Sequence, residues 1–512
     1  MDGPQVVAKL KTPTTEDVTS GITTALRHVL ETSGTATGAV AGVMIGTTHF
    51  TNAVVERRRL EPTAVVRFGL PATAALPPMV DWPADLADAL GRHGYLCHGG
   101  YEFDGREISP FDEEEVRRVA ADLAAKGITA IAVSSVFSPV NAAMEERAAE
   151  LLQSEVPGAS VTRSNEIGRI GLLERENAAI LNACLRPLAT QTVAAFRRAI
   201  AELGIEAPLY LTQSDGTLMS ADFAERYPVL TFASGPTNSM RGAAFLSGLK
   251  DAMVVDVGGT TSDVGALTHG FPREASVAID IGGVRTNFRM PDVYSFGLGG
   301  GSLVRPHPLT IGPQSVGYRL TERALVFGGD TLTTTDIAVA AGVAEIGDLA
   351  LVRHLDGGLV RSAMDRIQEM SEAAVDRMKT SAEPLPVIVV GGGSILIAEP
   401  IAGASEMVKP NHFEAANAVG AAIAQISGEV NRVYALNGLS RDQALDDAKA
   451  EAAAKAVEAG ADPQTIQIVD VEDVPLAYLP GNATRIRVKA VGNLTLTVPT
   501  STTPTFASHG NR

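Results

Sequence analysis

Cysteine is nearly absent. Cys97 and Cys184 are the only two, far apart and in no C-x-x-C pair. They read as reduced, buried thiols of a cytosolic protein, not as a disulfide framework. Concentrated positive charge is missing too. The chain carries 42 Lys+Arg against 59 Asp+Glu, a net charge of -17. Its densest basic cluster, Arg57-Arg58-Arg59, is too short to track a phosphate backbone, so nucleic acid is not an expected partner. No apolar run approaches the roughly 20 residues of a membrane span. The start has no basic segment leading into an apolar one, so no signal peptide is visible and the cytoplasm is the expected location. The nine histidines show no H-x-H or H-E-x-x-H spacing, and no G-x-S-x-G occurs. The usual protein-built metal site and the serine nucleophile elbow are therefore both unsupported.

What remains is a globular composition, 45% hydrophobic over 512 residues, long enough for about three or four domains. Residues 6–10 read as a short strand after a Met1-Asp2-Gly3 turn. A helix is predicted from Asp17 to about Thr32, led in by Pro13-Thr14-Thr15, and a buried strand from Ala39 to Ile45. Gly46-Thr47-Thr48-His49-Phe50-Thr51-Asn52 reads as a polar loop at that strand's end. Ser109-Pro110 opens a helix with Asp112, Glu113, Glu114 and Glu115 in its first turn, which suits the macrodipole. The helix closes at Gly127, and a strand follows from Ile128 to Ser134. Such alternation predicts an α/β fold with a mostly parallel sheet. One helix is expected from Arg175 to Pro187 and a second around Phe196, Ile200 and Leu203. Past about Leu439 an Ala/Glu/Lys-rich helix (441–459) and two alternating strands (466–471, 484–491) read as a small α+β appendage. The last dozen residues, rich in Ser, Thr and Pro, read as disordered.

The sharpest local signal is Met253 to Gly265. Two β-prone stretches flank Gly258-Gly259-Thr260-Thr261. Glycines admit close approach of an anion, and backbone N–H groups with two hydroxyls can hold phosphate oxygens. Asp256 ends the incoming strand, where a carboxylate can hold hydrated Mg²⁺; Asp263 lies on the outgoing strand. A second segment runs a wholly apolar strand, Val387 to Val390, into Gly391-Gly392-Gly393-Ser394, which taken alone reads as an ordinary glycine-ended α/β strand and, placed after the first turn, suits the nucleoside side of a nucleotide. Gly299-Gly300-Gly301-Ser302 reads equally as a cleft lining or a tight loop. Ser234-Gly235 opens an Ala-rich helix and is either an anion site or an ordinary helix start. Thr47, Thr48, His49 and Asn52 sit where open α/β sheets usually take substrate. His49 reads as a base, a ligand or an unremarkable loop histidine.

Taken in order, these segments resemble the A-subunit family of ATP-dependent hydantoinases and 5-oxoprolinases, with the related acetone-type carboxylases. Further matching pieces are Glu174-Arg175, Leu181-Asn182-Ala183, Gly328-Gly329-Asp330 and Asn417 to Ala422. The resemblance implies an actin/hexokinase-like ATPase fold in two ribonuclease-H-like halves, with ATP and Mg²⁺ as cofactors. Asp256 and Asp263 would do the phosphoryl chemistry. Gly258 to Thr261, Ser234, Gly235 and Gly391 to Ser394 would bind nucleotide, and the 47–52 loop would face the acceptor. It also implies a B-type partner subunit and a substrate such as hydantoin, 5-oxoproline or another lactam, activated by carbonyl phosphorylation. The implied division is 1–190 as an N-terminal-like domain, 191–430 as the ATPase domain and 431–512 as the appendage with its tail. Alternatives are the ATP-using subunit of a ketone carboxylase, a small-molecule kinase and a nucleotide-sensing ATPase without a substrate. Members of this family open with a strand–DxGGT–strand hairpin. Here only the Asp256 copy is present, so the chain as given is expected to lack half of the phosphate clamp and a piece of its N-terminal sheet, which leaves open whether it turns over ATP.

Overall fold

A computed structural model describes residues 1–12, 18–275, 279–287, 290–434, 436, 438–476 and 483–495. The expected Pro13–Asp17 lead-in and the expected disordered tail lie outside them. The fold is α/β with parallel and mixed sheets.

The first sheet is wholly parallel. Its strands lie in the order His93–His98, Thr63–Leu70, Ala130–Ser135, Ser160–Arg163. The connecting helices form as the pattern predicts. Glu113–Lys126 is capped by Asp112, whose carboxylate accepts from the Glu114 and Glu115 amides, and it stops at left-handed Gly127. Side-chain oxygens at this position satisfy amides that have no partner within the helix.

The second sheet runs Val43–Ile45, Leu209–Thr212, Thr217–Ser220, Gln425–Tyr434, Thr484–Gly492, Gln467–Pro475. Half of it comes from beyond residue 424. The C-terminal elements therefore continue a central sheet and are not an appendage set apart from it. Helix Arg441–Glu458 covers this half through Ala444, Ala448, Ala452 and Ala456. Spacing of four puts these small side chains on one face, so the helix can approach the strands closely.

The third sheet carries the chemistry. Ala252–Val257 pairs antiparallel with Ser262–Thr268 and parallel with Val387–Val390. Ala252, Val254, Ile388 and Val390 face helix Ser234–Ser247. Met253, Val255, Val257, Val387 and Val389 face helix Gly357–Met378. Burial on both faces explains why these strands are apolar at nearly every position.

Several expectations fail for physical reasons. Residues 6–10 form no strand. The Asp2–Gln5 turn closes as an isolated bridge, and residues 6–10 after it pair with no strand among the described residues. The 49–52 segment is helical: His49–Glu56 buries Phe50, Ala53 and Val54 on one side, an i, i+3, i+4 pattern that the polar residues mask. The strand predicted from Ala39 shortens to Val43–Ile45 behind a 3₁₀ turn at Thr37–Ala39. The two helices expected around Pro187 are one, Leu172–Glu202, with the proline inside it. Pro187 lacks the N–H that would bond back one turn. Burial of Leu185, Leu188 and Ala189 on either side keeps the helix continuous. Among the described residues no helix is long and apolar enough to cross a membrane.

Candidate functional site

Parallel pairing sets the site. Val390 lies opposite Asp256, so the turns that follow the two strands emerge on the same edge. The Gly393 amide donates to the Val257 carbonyl at 2.7 Å. A Cβ on Gly393 would sit 2.8 Å from Val257 Cγ1, and one on Gly391 would strike the Asp256 carboxylate and lie 2.9 Å from the Val257 carbonyl carbon. Only glycine fits at either position.

The third glycine segment closes over the first. Gly300 and Gly301 donate their amides to the carbonyls of Gly258 and Gly259, at 3.1 and 2.7 Å. A Cβ on Gly299 would lie 2.5 Å from the Thr260 nitrogen. Thr334 and Thr335, at the head of helix Thr334–Ala340, donate hydroxyls to the Gly299 and Gly300 carbonyls at 2.5 and 2.7 Å. Three separate Gly segments thus form one backbone-lined cradle, with Gly259, Thr260 and Thr261 exposed at its lip. The 299–302 segment, open between cleft lining and tight loop, lies against the phosphate-type turn.

Asp256 and Asp263 face each other across the hairpin ladder. Burial raises the Asp256 carboxyl, while a Ser239 hydrogen bond and the Lys11 charge oppose the rise. Burial also raises Asp263 to about 6, against a hydrogen bond from Ser295 and with the Asp256 charge adding to the rise. Withdrawal from water disfavours the charged form. A positive charge nearby would favour the charged form. Among the described residues there is no group of three or more His, Cys, Asp and Glu that could hold a metal ion.

A chain of contacts links this cradle to the 47–48 segment. Ser234 Oγ donates to the Thr47 carbonyl at 3.2 Å. Asn417 Nδ2 reaches the Gly235 carbonyl at 2.9 Å and Ser239 Oγ at 3.3 Å, and Ser239 in turn bonds Asp256. Ser234, Gly235 and Thr47 are therefore joined to Asp256 through this chain of contacts, and Thr48 lies beside Gly235. Ser394 is buried with its hydroxyl unpartnered, and its carbonyl accepts from Lys409 Nζ at 2.9 Å. His49 stands apart. Its ring stacks on Phe196, centroids 6.4 Å apart, and burial and the Arg59 charge lower its pKa. Asn52 is exposed on the following helical turn.

Sequence reasoning missed Ser239, Asn417, Ser295 and Lys11. Ser239 and Asn417 lie inside segments already singled out, though nothing in those segments marks them as neighbours of Asp256. Lys11 carries no signal at all in the sequence.

Against known proteins, residues 1–156 match the hydantoinase/oxoprolinase N-terminal region and residues 175–383 match hydantoinase/oxoprolinase. Caprolactamase subunit alpha of Pseudomonas jessenii is 28% identical over 56% of this chain and 40% of its own length. The acetophenone carboxylase gamma subunit of Aromatoleum aromaticum is 29% identical over 46% of this chain and 34% of its own. The chain thus spans less than half the length of these curated relatives. The crystal structure of the ATP-dependent caprolactamase from Pseudomonas jessenii aligns at a TM-score of 0.74, covering 95% of this chain and 84% of that one at 17% identity, which shows a shared fold. The two matched regions follow one another in chain order, and the second contains Asp256 and two of the three glycine segments that build the cradle: the chain belongs to the hydantoinase/oxoprolinase family, as an A-like member.

Proposed function

We propose that this chain is the ATP-handling subunit of an enzyme that activates a cyclic amide, such as hydantoin, 5-oxoproline or another lactam, for hydrolysis. The carrying observation is the convergence of Gly258–Gly259, Gly299–Gly301 and Gly391–Gly393 beside Asp256, where a Cβ on Gly299, Gly391 or Gly393 would collide with the backbone of the 256–260 strand end and turn. That cradle fits a polyphosphate, and Asp256 fits Mg²⁺. Bound ATP would supply a phosphoryl group to the carbonyl oxygen, turning it into a leaving group. The chain's own residues hold and align. Gly259 and the hydroxyls of Thr260 and Thr261 face the phosphates, Asp256 holds the hydrated cation, and Gly391 to Ser394 border the nucleoside. Ser234, Gly235, Thr47 and Thr48 line the acceptor side of the same cleft. The arrangement is of actin/hexokinase type, with a B-type subunit completing the reaction in the cytoplasm. Likeness to the acetophenone carboxylase subunit supports a second acceptor class, a ketone.

The test is phosphate release by the chain with its B-type partner, screened over lactams, hydantoins and 5-oxoproline, and over ketones with bicarbonate. Lactam-stimulated release without bicarbonate supports the first reading. Release that requires a ketone and bicarbonate supports the second. Asp256→Ala should abolish release and leave the melting curve intact. Unchanged release would remove Asp256 from the site.

A further inference from the structure

The glycine amides at the cradle are largely committed. Gly258 donates to Thr261 O, Gly300 to Gly258 O, Gly301 to Gly259 O, Gly391 to Phe413 O and Gly393 to Val257 O. The two carboxylates beside them, Asp256 and Asp263, are negative when ionised. A nucleoside triphosphate carries more negative charge than one Mg²⁺ offsets. A cradle built from these parts needs a side-chain cation.

We propose that Lys11 supplies it, as the residue that meets the phosphates from the open side of the cradle. Its ammonium lies where a Cβ on Gly392 would project. It is also the cation whose charge acts on Asp256. Gly392 is one of the three consecutive glycines, and a side chain there would displace the lysine.

The segment that carries Lys11 is pinned to the same strand ends. Lys9 forms an ion pair with Glu414. Glu414 sits in the turn Phe413–Ala415, whose Phe413 carbonyl holds the Gly391 amide at 3.0 Å. Lys409 Nζ donates to the Ser394 carbonyl at 2.9 Å, whereas the Lys11 ammonium lies against Gly392. Lys9 anchors, Lys11 reaches. An ammonium on a flexible stem is a compact point charge that suits a phosphate group.

This inference rests on the nucleotide reading of the site, and binding to phosphate-bearing and phosphate-free ligands separates the two. The full chain with its partner subunit is titrated with Mg-ATP, Mg-ADP and adenosine by calorimetry. For Lys11→Ala, ATP affinity should fall by about tenfold or more, the scale of a lost charge-assisted contact. ADP should weaken less, and adenosine should stay within about twofold because no charge is left to meet. Lys11→Arg should recover most of the loss. Lys9→Ala, which frees the anchor, should show the same order of preference with a smaller loss. Equal losses for ATP and adenosine would mean a structural prop and overturn the proposal. So would an unchanged ATP affinity, or a gain in it, as for a side chain that merely blocks the cleft. If the unaltered protein binds neither ATP nor adenosine, the nucleotide reading falls and takes this role with it.

Discussion

Gly420→Ala is a sharp test of how the cleft is built. Gly420 lies in helix Ala416–Ala422, packed against helix Ser234–Ser247. A Cβ there would strike the Asn238 carbonyl oxygen, with its carbon at 2.7 Å and the Gly242 nitrogen at 2.8 Å. Every one of these atoms is backbone, so no rotamer change relieves the clash and the helices must part. In an unhindered helix, glycine to alanine is favourable by about 1 kcal/mol. Overpacking a tight core costs about 1–3 kcal/mol, and contact with rigid backbone belongs at the upper end. The net is a loss of about 1–2 kcal/mol. The sign is diagnostic: an ordinary helical site would gain. Gly357→Ala is the control, because its Cβ would meet only Arg361 Nη1, at 3.6 Å. Urea unfolding should show Gly420→Ala less stable and Gly357→Ala unchanged or slightly more stable. Because the displaced helix carries Ser234 and Ser239, Mg-ATP affinity should also fall in the first variant. A stabilised Gly420→Ala would refute the close approach of these helices.

Asp263 gives a pH test. Burial lifts its folded pKa to about 6, above the ordinary carboxylate value of 3.8, so its contribution to stability is full below about 4 and is lost as pH rises through about 6. Cation binding runs the other way, so Mg-ATP affinity should rise through about 6, and Asp263→Asn should flatten the part of both profiles due to this group. Arg67 and Glu176 form a fully buried pair, tied also to Ser134 Oγ. Arg67→Met should cost about 3–5 kcal/mol by urea unfolding, because it strands the carboxylate, and Arg67→Met/Glu176→Met should recover part of the loss. Gly393→Ala should abolish Mg-ATP binding by driving the two strand ends apart. Tight binding by that variant would break the assigned geometry.

The glycine segments were legible in the sequence because their cause is local. A strand end that must approach another backbone tolerates nothing larger, and Gly391 and Gly393 record that constraint whatever they touch. Helix caps such as Asp112 and Gly127 were legible for the same reason. The residues that complete the site were not. Ser239, Asn417 and Lys11 meet Asp256 only after distant segments have folded together, and a lone serine, asparagine or lysine has no pattern of its own. The 49–52 segment was misread because its polar residues hide Phe50, the first of three buried apolar residues that continue with Ala53 and Val54. The C-terminal strands look self-sufficient by alternation, and only the pairing of Gln425 and Ile426 with Thr217 and Leu218 shows which sheet they extend.

Helix Leu172–Glu202, 31 residues long, is about 46 Å from end to end at 1.5 Å per residue. Ala178 to Ala189 belong to one apolar core, and Val193, Phe196 and Ile200 to another. A break at residue 190 would fall within the helix, between those two cores. The cores therefore share a rod, and loosening either one frays the support of the other. Loss of structure in this part of the chain should be concerted. Expressing residues 1–190 alone would yield a fragment whose last turns have an exposed flank and no partner, a candidate for rapid degradation and not a free-standing unit.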